Sequence, residues 1–225
     1  MADTSGAAHR AALFDVDGTL VDTNYLHTVA WWEAFRQAGH HVPMRAVHRA
    51  IGLGSEDLIE HVLGADRDPG QDGSISSAHK ALYATCFDRL PALEAAGDLL
   101  RALADRGLRI VLATSADGSE LAALRRAIDA DDVIAGTASS DDVAQGKPAP
   151  DPVERALELA QVPASCAVFV GDTVWDMKAA ARAGVQRVAL LSGGIPRADL
   201  EEAGAAAVYQ DPADLLANLD RSPLA

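Results

Sequence analysis

The sequence predicts an α/β fold: a parallel sheet covered by helices on both faces, with a block of helices inserted after the first strand. Three observations carry this expectation. Ala11 to Phe14 (AALF) is a short apolar run with no polar alternation, as a strand buried on both faces requires. Residues 25 to 87 show helical periodicity and no strand pattern. From Leu93 onward, helices of about 10 to 15 residues alternate with short apolar runs, the pattern of crossover units in a parallel sheet.

Tyr25 to Gln37 reads as a helix with Leu26, Val29, Ala30, Trp32 and Ala34 in a broad apolar stripe, capped by Asp22, Thr23 or Asn24 and ended by Gly39. Helices follow at 44–50, 55–63 and 76–87, broken by Gly54, Gly64 and the polar segment 66–74. Leu93 to Arg106 is helical, with Gly107 at its C-terminal cap, and Arg109 to Thr114 is a strand. Ser119 begins a helix through Leu121, Leu124 and Ile128, and 132–135 is a short strand. Asp151, Pro152 and Glu154 resemble a capping box with proline at the first helical position, so a helix runs from there to Ala160. Strands at 167–170 and 187–191 flank a helix at 174–183 closed by Gly184. An edge strand at 206–209 and a helix at 212–219 end the chain.

At 225 residues the chain is one domain, or a domain with an insertion, able to bury a substantial core. No run approaches the roughly 18 apolar residues of a membrane span. The opening MADTSGAAHR shows no basic stretch followed by an apolar one, so a cytoplasmic protein is expected. A net charge of -14 argues against a broad nucleic-acid-binding face but leaves room for a small anion at a local positive site. Cys86 and Cys166 lie far apart with no CxxC, which argues against a structural zinc or a disulfide framework. Lysine occurs only at 80, 147 and 178 among 19 basic residues, so each lysine calls for a reason.

Ligands of open parallel sheets sit outside the carboxyl ends of the strands. The residues expected there are Asp15, Thr114 and Asp172, with Lys147 in the loop after the third strand. Asp15 and Asp17 flank one valine where the first strand breaks. Carboxylates that close imply a compensating cation, most simply Mg²⁺, although an aspartate after a strand also caps turns. Asp172 follows FVG at a strand end and Asp176 lies one turn on. With Asp15 and the backbone carbonyl of Asp17 they supply oxygens for one Mg²⁺. Lys147 stands in GKPAPDP, a loop stiffened by prolines, and suits an ammonium that pairs with phosphate oxygens. The Thr114 hydroxyl, with Ser115 and the turn beyond, suits the same oxygens.

These motifs resemble the haloacid dehalogenase-like superfamily, in the branch with a helical cap inserted after the first motif. DVDGTLVDT matches motif one, Thr114 motif two, Lys147 in GKPAPDP motif three and GDTVWDM motif four. The resemblance implies a Rossmann-like doubly wound core over residues 1–21 and 91–225, and an all-α cap domain over 22–90. It also implies Mg²⁺-dependent phosphoryl transfer through an aspartyl phosphate. Under it Asp15 is the nucleophile and Asp17 the general acid and base. Thr114 and Lys147 hold the phosphate, Gly18, Thr19 and Ser115 contact substrate, and Asp15, Asp17, Asp172 and Asp176 hold the metal. An acid at position 17 favours phosphoesters over haloacids. The implied partner is a small phosphate ester, with neither nucleic acid nor membrane, and the chain is expected as a monomer or weak homodimer.

The cap should select the substrate. GLGSED (Gly52 to Asp57) resembles a substrate-contacting cap loop and nominates Gly54 and Ser55; it is no dinucleotide fingerprint, because no strand precedes it. Sugar phosphomutases of the family share a histidine at the place of His27 but carry arginine where Ser55 falls, so a mutase is the alternative reading. His27 is either a substrate contact or a polar group at a hinge near Asp22 and Pro91. Tyr25, Trp31 and Trp32 divide between substrate contact and core, with at least one Trp in the core. A signalling domain that merely stores phosphate on Asp15 is a third reading, against which Asp17 and the cap speak.

Overall fold

The computed structural model describes residues 10–116 and 118–225; the N-terminal segment read above for a leader pattern lies mostly outside them. Strand β1 (Arg10–Phe14) is followed by four helices, α1 (Asn24–Gln37), α2 (Met44–Ala50), α3 (Ser55–Leu63) and α4 (Asp72–Ala84). The chain then alternates through α5 (Ala96–Asp105), β2 (Leu108–Ala113), α6 (Gly118–Ile128), β3 (Ile134–Ala138), α7 (Asp151–Ala160), β4 (Ala167–Gly171), α8 (Val174–Arg182) and β5 (Gln186–Leu190). It closes with α9 (Arg197–Glu202), β6 (Ala207–Tyr209) and α10 (Pro212–Ala217). Among the described residues the strands form one parallel sheet in the order β3-β2-β1-β4-β5-β6.

The unbroken apolar character of β1 follows from its central place. Ala12 and Phe14 pack with α5, α6 and α10 on one face, whereas Ala11 and Leu13 pack with α7 and α8 on the other. The strand order reverses between β1 and β4, which makes their carboxyl ends the switch point where doubly wound sheets bind ligands. Phe14 is level with Leu112 of β2 and Val170 of β4, so Asp15, Thr114 and Asp172 emerge along one rim.

The four inserted helices carry their own core of Trp31, Phe35, Val47, Leu58, Ile59 and Ile75. Trp31 is buried there, Trp32 is half-buried beneath the Arg36 guanidinium, and Tyr25 is exposed and stacked on His48. No helix among the described residues is long and apolar enough to cross a membrane.

Several local expectations are corrected. The polar segment 66–74 is ordered: Pro69–Gln71 forms a 3-10 turn and α4 already begins at Asp72. Arg67 holds it, 2.9 Å from Asp72 and 3.1 Å from Glu60. Helix α5 starts at Ala96 rather than Leu93, because the chain first runs beside the opening loop, with Leu93 N–H donating to Leu20 O. Strand β3 lies two residues later than expected at its start, and α9 was not anticipated at all. The expected capping box at Asp151 is absent: Pro150 is the N-cap of α7 and no side chain caps it. A full capping box instead joins Thr173 and Asp176 at the start of α8.

Candidate active site

The opening loop turns sharply after β1, with Gly18 at φ +76°, where a Cβ would lie 2.4 Å from Asn24 Nδ2 and 2.5 Å from Asp172 Oδ2. Glycine is therefore required both by conformation and by space. The turn brings Asp15 beside Lys147, whose Nζ lies 2.5 Å from Asp15 Oδ1 and 2.8 Å from Asp176 Oδ1 and donates to Ala113 O at 3.0 Å. All three side chains are buried.

Behind Asp15, Asp172 accepts from Thr19 Oγ1 at 2.8 Å and from Asn24 Nδ2 at 2.7 Å. Asp176 Oδ2 accepts from the backbone N–H and hydroxyl of Thr173, its capping partner. Among the described residues its Oδ1 receives no well-directed hydrogen bond, only the Lys147 charge. Asp17 points the other way, toward the inserted helices. Thr23 Oγ1 donates to its Oδ1 at 2.6 Å, and His27 Nε2 lies 3.2 Å from the same oxygen. Thr23 is the N-cap of α1 by position, but its hydroxyl is turned to the site and caps nothing.

The electrostatics follow from burial. Burial raises the Asp15 pKa to about 7 despite the pull of Lys147, with Asp176 and Asp17 adding to the rise. Asp172 is pushed well above the carboxylate range, by burial first and then by Asp15 and Asp176. Burial would also raise Asp17, but His27, Thr23 and Lys147 together hold it below its ordinary value. His27 is raised in turn, Asp17 outweighing the desolvation of its ring. Lys147 is desolvated too, yet Asp15 and Asp176 hold its ammonium charged.

Asp15, Asp172 and Asp176 present oxygens within 4.8 Å of one another. Three buried carboxylates against one ammonium leave a deficit of positive charge, and an all-oxygen donor set suits a hard divalent cation such as Mg²⁺. The residues fit the ion.

A cavity of about 560 Å³ opens above this cluster, between the sheet rim and the inserted helices. Asp15, Asp17, Thr114, Ser115 and Lys147 line it from below, and His27, Gly54 and Ser55 from above. Gly18 and Thr19 are not on its wall. Both are buried, and the Thr19 hydroxyl is committed to Asp172 and Asp15, so the expected substrate contact at these two residues is corrected to a supporting place. Asp172 and Asp176 also lie behind the wall, fully buried.

Asn24, Thr23, His79 and Glu120 were not singled out for the site from the sequence. Thr23 and Asn24 were legible only as helix caps. His79 had a signal, since Ile75, His79 and Tyr83 recur at four-residue spacing on the buried face of α4. Glu120 Oε1 lies 3.8 Å from His27 Nε2, and nothing local distinguishes it from an ordinary first-turn acid.

A doubly wound sheet with an aspartate and a lysine paired at its switch point, beneath a cavity closed by inserted helices, defines an α/β enzyme acting on a small anionic ligand. The comparisons make this specific. Residues 9–184 match the family model described as haloacid dehalogenase-like hydrolase, and the chain belongs to that family. It is similar to a phosphoglycolate phosphatase of Rhodospirillum rubrum, 32% identical over 92% of this chain and 89% of the relative. It is also similar to the protein CbbY of Rhodobacter capsulatus, 32% identical over 84% of this chain and 88% of the relative. A hydrolase from Pseudomonas syringae has a similar solved structure, with a TM-score of 0.90 and 34% identity over 95% of this chain and 99% of the other.

Proposed function

We propose that the chain is a Mg²⁺-dependent phosphatase of small organic phosphate monoesters, working through a phosphorylated Asp15. The observation that carries this reading is the Lys147 ammonium held between Asp15 and Asp176 at the floor of the cavity. Relatives named as phosphatases support it. Residues 22–90 then serve as a cap over a core of 1–21 and 91–225, and the enzyme acts in the cytoplasm.

In this reading Asp15 attacks phosphorus as the ester P–O bond breaks, and a proton that Asp17 takes up from protonated His27 passes to the departing alcohol oxygen. Asp17 then takes a proton from water, whose oxygen attacks phosphorus and releases orthophosphate and free Asp15. Lys147 neutralises the nucleophile and phosphate oxygens, while Thr114 and Ser115 orient them. Asp15, Asp172, Asp176 and the Asp17 carbonyl would hold the divalent ion, which when bound offsets the charge that brings an anionic phosphate to an anionic carboxylate. Gly54, Ser55 and His27 would face the alcohol portion.

The test is phosphate release from p-nitrophenyl phosphate with Mg²⁺. Activity is expected, with loss in EDTA and in Asp15→Asn. Undiminished turnover by Asp15→Asn would remove the nucleophile assignment and the reading with it.

A further inference from the structure

A histidine is an unusual choice for the apolar wall it occupies on α4. The His79 ring is 6% exposed, lies parallel to Trp31 with centroids 4.0 Å apart, and sits among Ile75 and Tyr83. An aromatic hydrocarbon ring would fill the same space without the cost of burying polar nitrogens. One atom distinguishes it: His79 Nε2 lies 3.1 Å from His27 Nδ1, while the other nitrogen of His27 faces Asp17 Oδ1 at 3.2 Å.

We propose that His79 is a positioning residue for the acid–base carboxylate, fixing the His27 ring so that Nε2–H is presented to Asp17. The kinetic consequence rests on the phosphatase reading; the ring orientation does not. An imidazole has a broad two-fold torsion about its ring bond, so a ring held at one nitrogen can flip and present a C–H in its place. His27 is held at both. Which nitrogen carries hydrogen is set by the bond the other one makes. His79 Nδ1 finds no partner among the described residues. Leaving a lone pair unpaired there costs less than burying an unpaired N–H, so the hydrogen of His79 belongs on Nε2, donated to His27 Nδ1. His27 then carries its own hydrogen on Nε2, facing Asp17. Should His27 gain a second proton, Nδ1 donates to His79 Nε2 and the orientation is unchanged. The stack on Trp31 keeps His79 in register for either arrangement.

His79→Phe keeps the stack and removes Nε2, whereas His79→Gln keeps a polar group of similar reach. Long-range ¹H–¹⁵N spectra of the whole protein should show His27 protonated at Nε2 in the wild type and a mixture of ring states in His79→Phe. In phosphate release, kcat of His79→Phe should fall about tenfold with KM within about twofold, a fraction of what a general acid contributes. His79→Gln should recover part of the loss, and His79→Phe should add nothing in a His27→Gln background. An unchanged His27 spectrum in both His79 variants overturns the proposal, as does an equal kcat loss with and without His27. If the wild type releases no phosphate, the phosphatase reading fails while the spectra still decide the ring orientation.

Discussion

Asn24 donates its side-chain amide to Asp172 Oδ2 at 2.7 Å, tying the first residue of the inserted helices to the acid at the end of β4. The same amide reaches Gly193 O at 3.3 Å. Leaving a buried acceptor short of its donor costs about 1–3 kcal/mol. Asn24→Ala should lose stability in that range in EDTA, measured by urea unfolding, and should require more Mg²⁺ for half-maximal activity. A variant as stable as the wild type would show that Asp172 is satisfied by Thr19 alone.

Lys147 is the next case. Its ammonium stands against Asp15 and Asp176 in a buried setting, and breaking a buried pair by removing one partner costs about 3–5 kcal/mol. Lys147→Ala should unfold at markedly lower denaturant and release no phosphate. Lys147→Arg should also be inactive, since a planar fork does not replace a compact ammonium on a residue only 5% exposed. Arginine restoring full turnover would contradict the geometry.

Metal should stabilise the fold as well as support turnover. A ligand bound only to the native state adds about 2.7 kcal/mol at a hundredfold excess over its Kd. Thermal unfolding followed with Mg²⁺ and then with EDTA should therefore give a higher Tm with the ion. The difference should vanish in Asp172→Asn. Equal Tm values in the wild type would argue against the buried acids as the metal's seat.

His79 also carries a pH prediction. Burial, and then the charges of His27 and Lys80, depress its pKa from 6.5 to about 2. The folded protein thus disfavours a proton that the unfolded chain accepts, so the stability is present above about 6.5 and is lost as pH falls toward 2. The loss approaches about 1.4 kcal/mol for each unit below 6.5. Unfolding curves from pH 7 to 5 should show a smaller decline in His79→Phe than in the wild type, and parallel declines would place the titration elsewhere.

The sheet was legible because β1, β2, β4 and β5 are short apolar runs separated by helical periodicity, a pattern that parallel pairing imposes on the chain itself. Asp15, Thr114, Lys147 and Asp172 were legible because strand ends in such a sheet converge on one rim. What escaped notice depends on partners remote in sequence. Asn24 looks like a cap until β4 brings Asp172 to it across 148 residues. His79 looks like one polar residue in an apolar stripe until α1 lays His27 against it. The Asp151 cap failed for a local reason, since the start of α7 is set by Pro150, whereas the same capping pattern at Thr173 holds an acid of the site.

Gly193 has no side chain to lose, yet a Cβ there would fall 1.7 Å from Asp172 Oδ2, and its carbonyl also receives His48 Nε2 at 2.9 Å from α2. The loop after β5 is thereby the common abutment of α1, α2 and the acid floor. Were α1 and α2 to part from this loop, that one carbonyl would lose two donors and Asp172 would lose the Asn24 amide in the same movement, so the seating of the inserted helices and the ordering of the acid floor are mechanically linked.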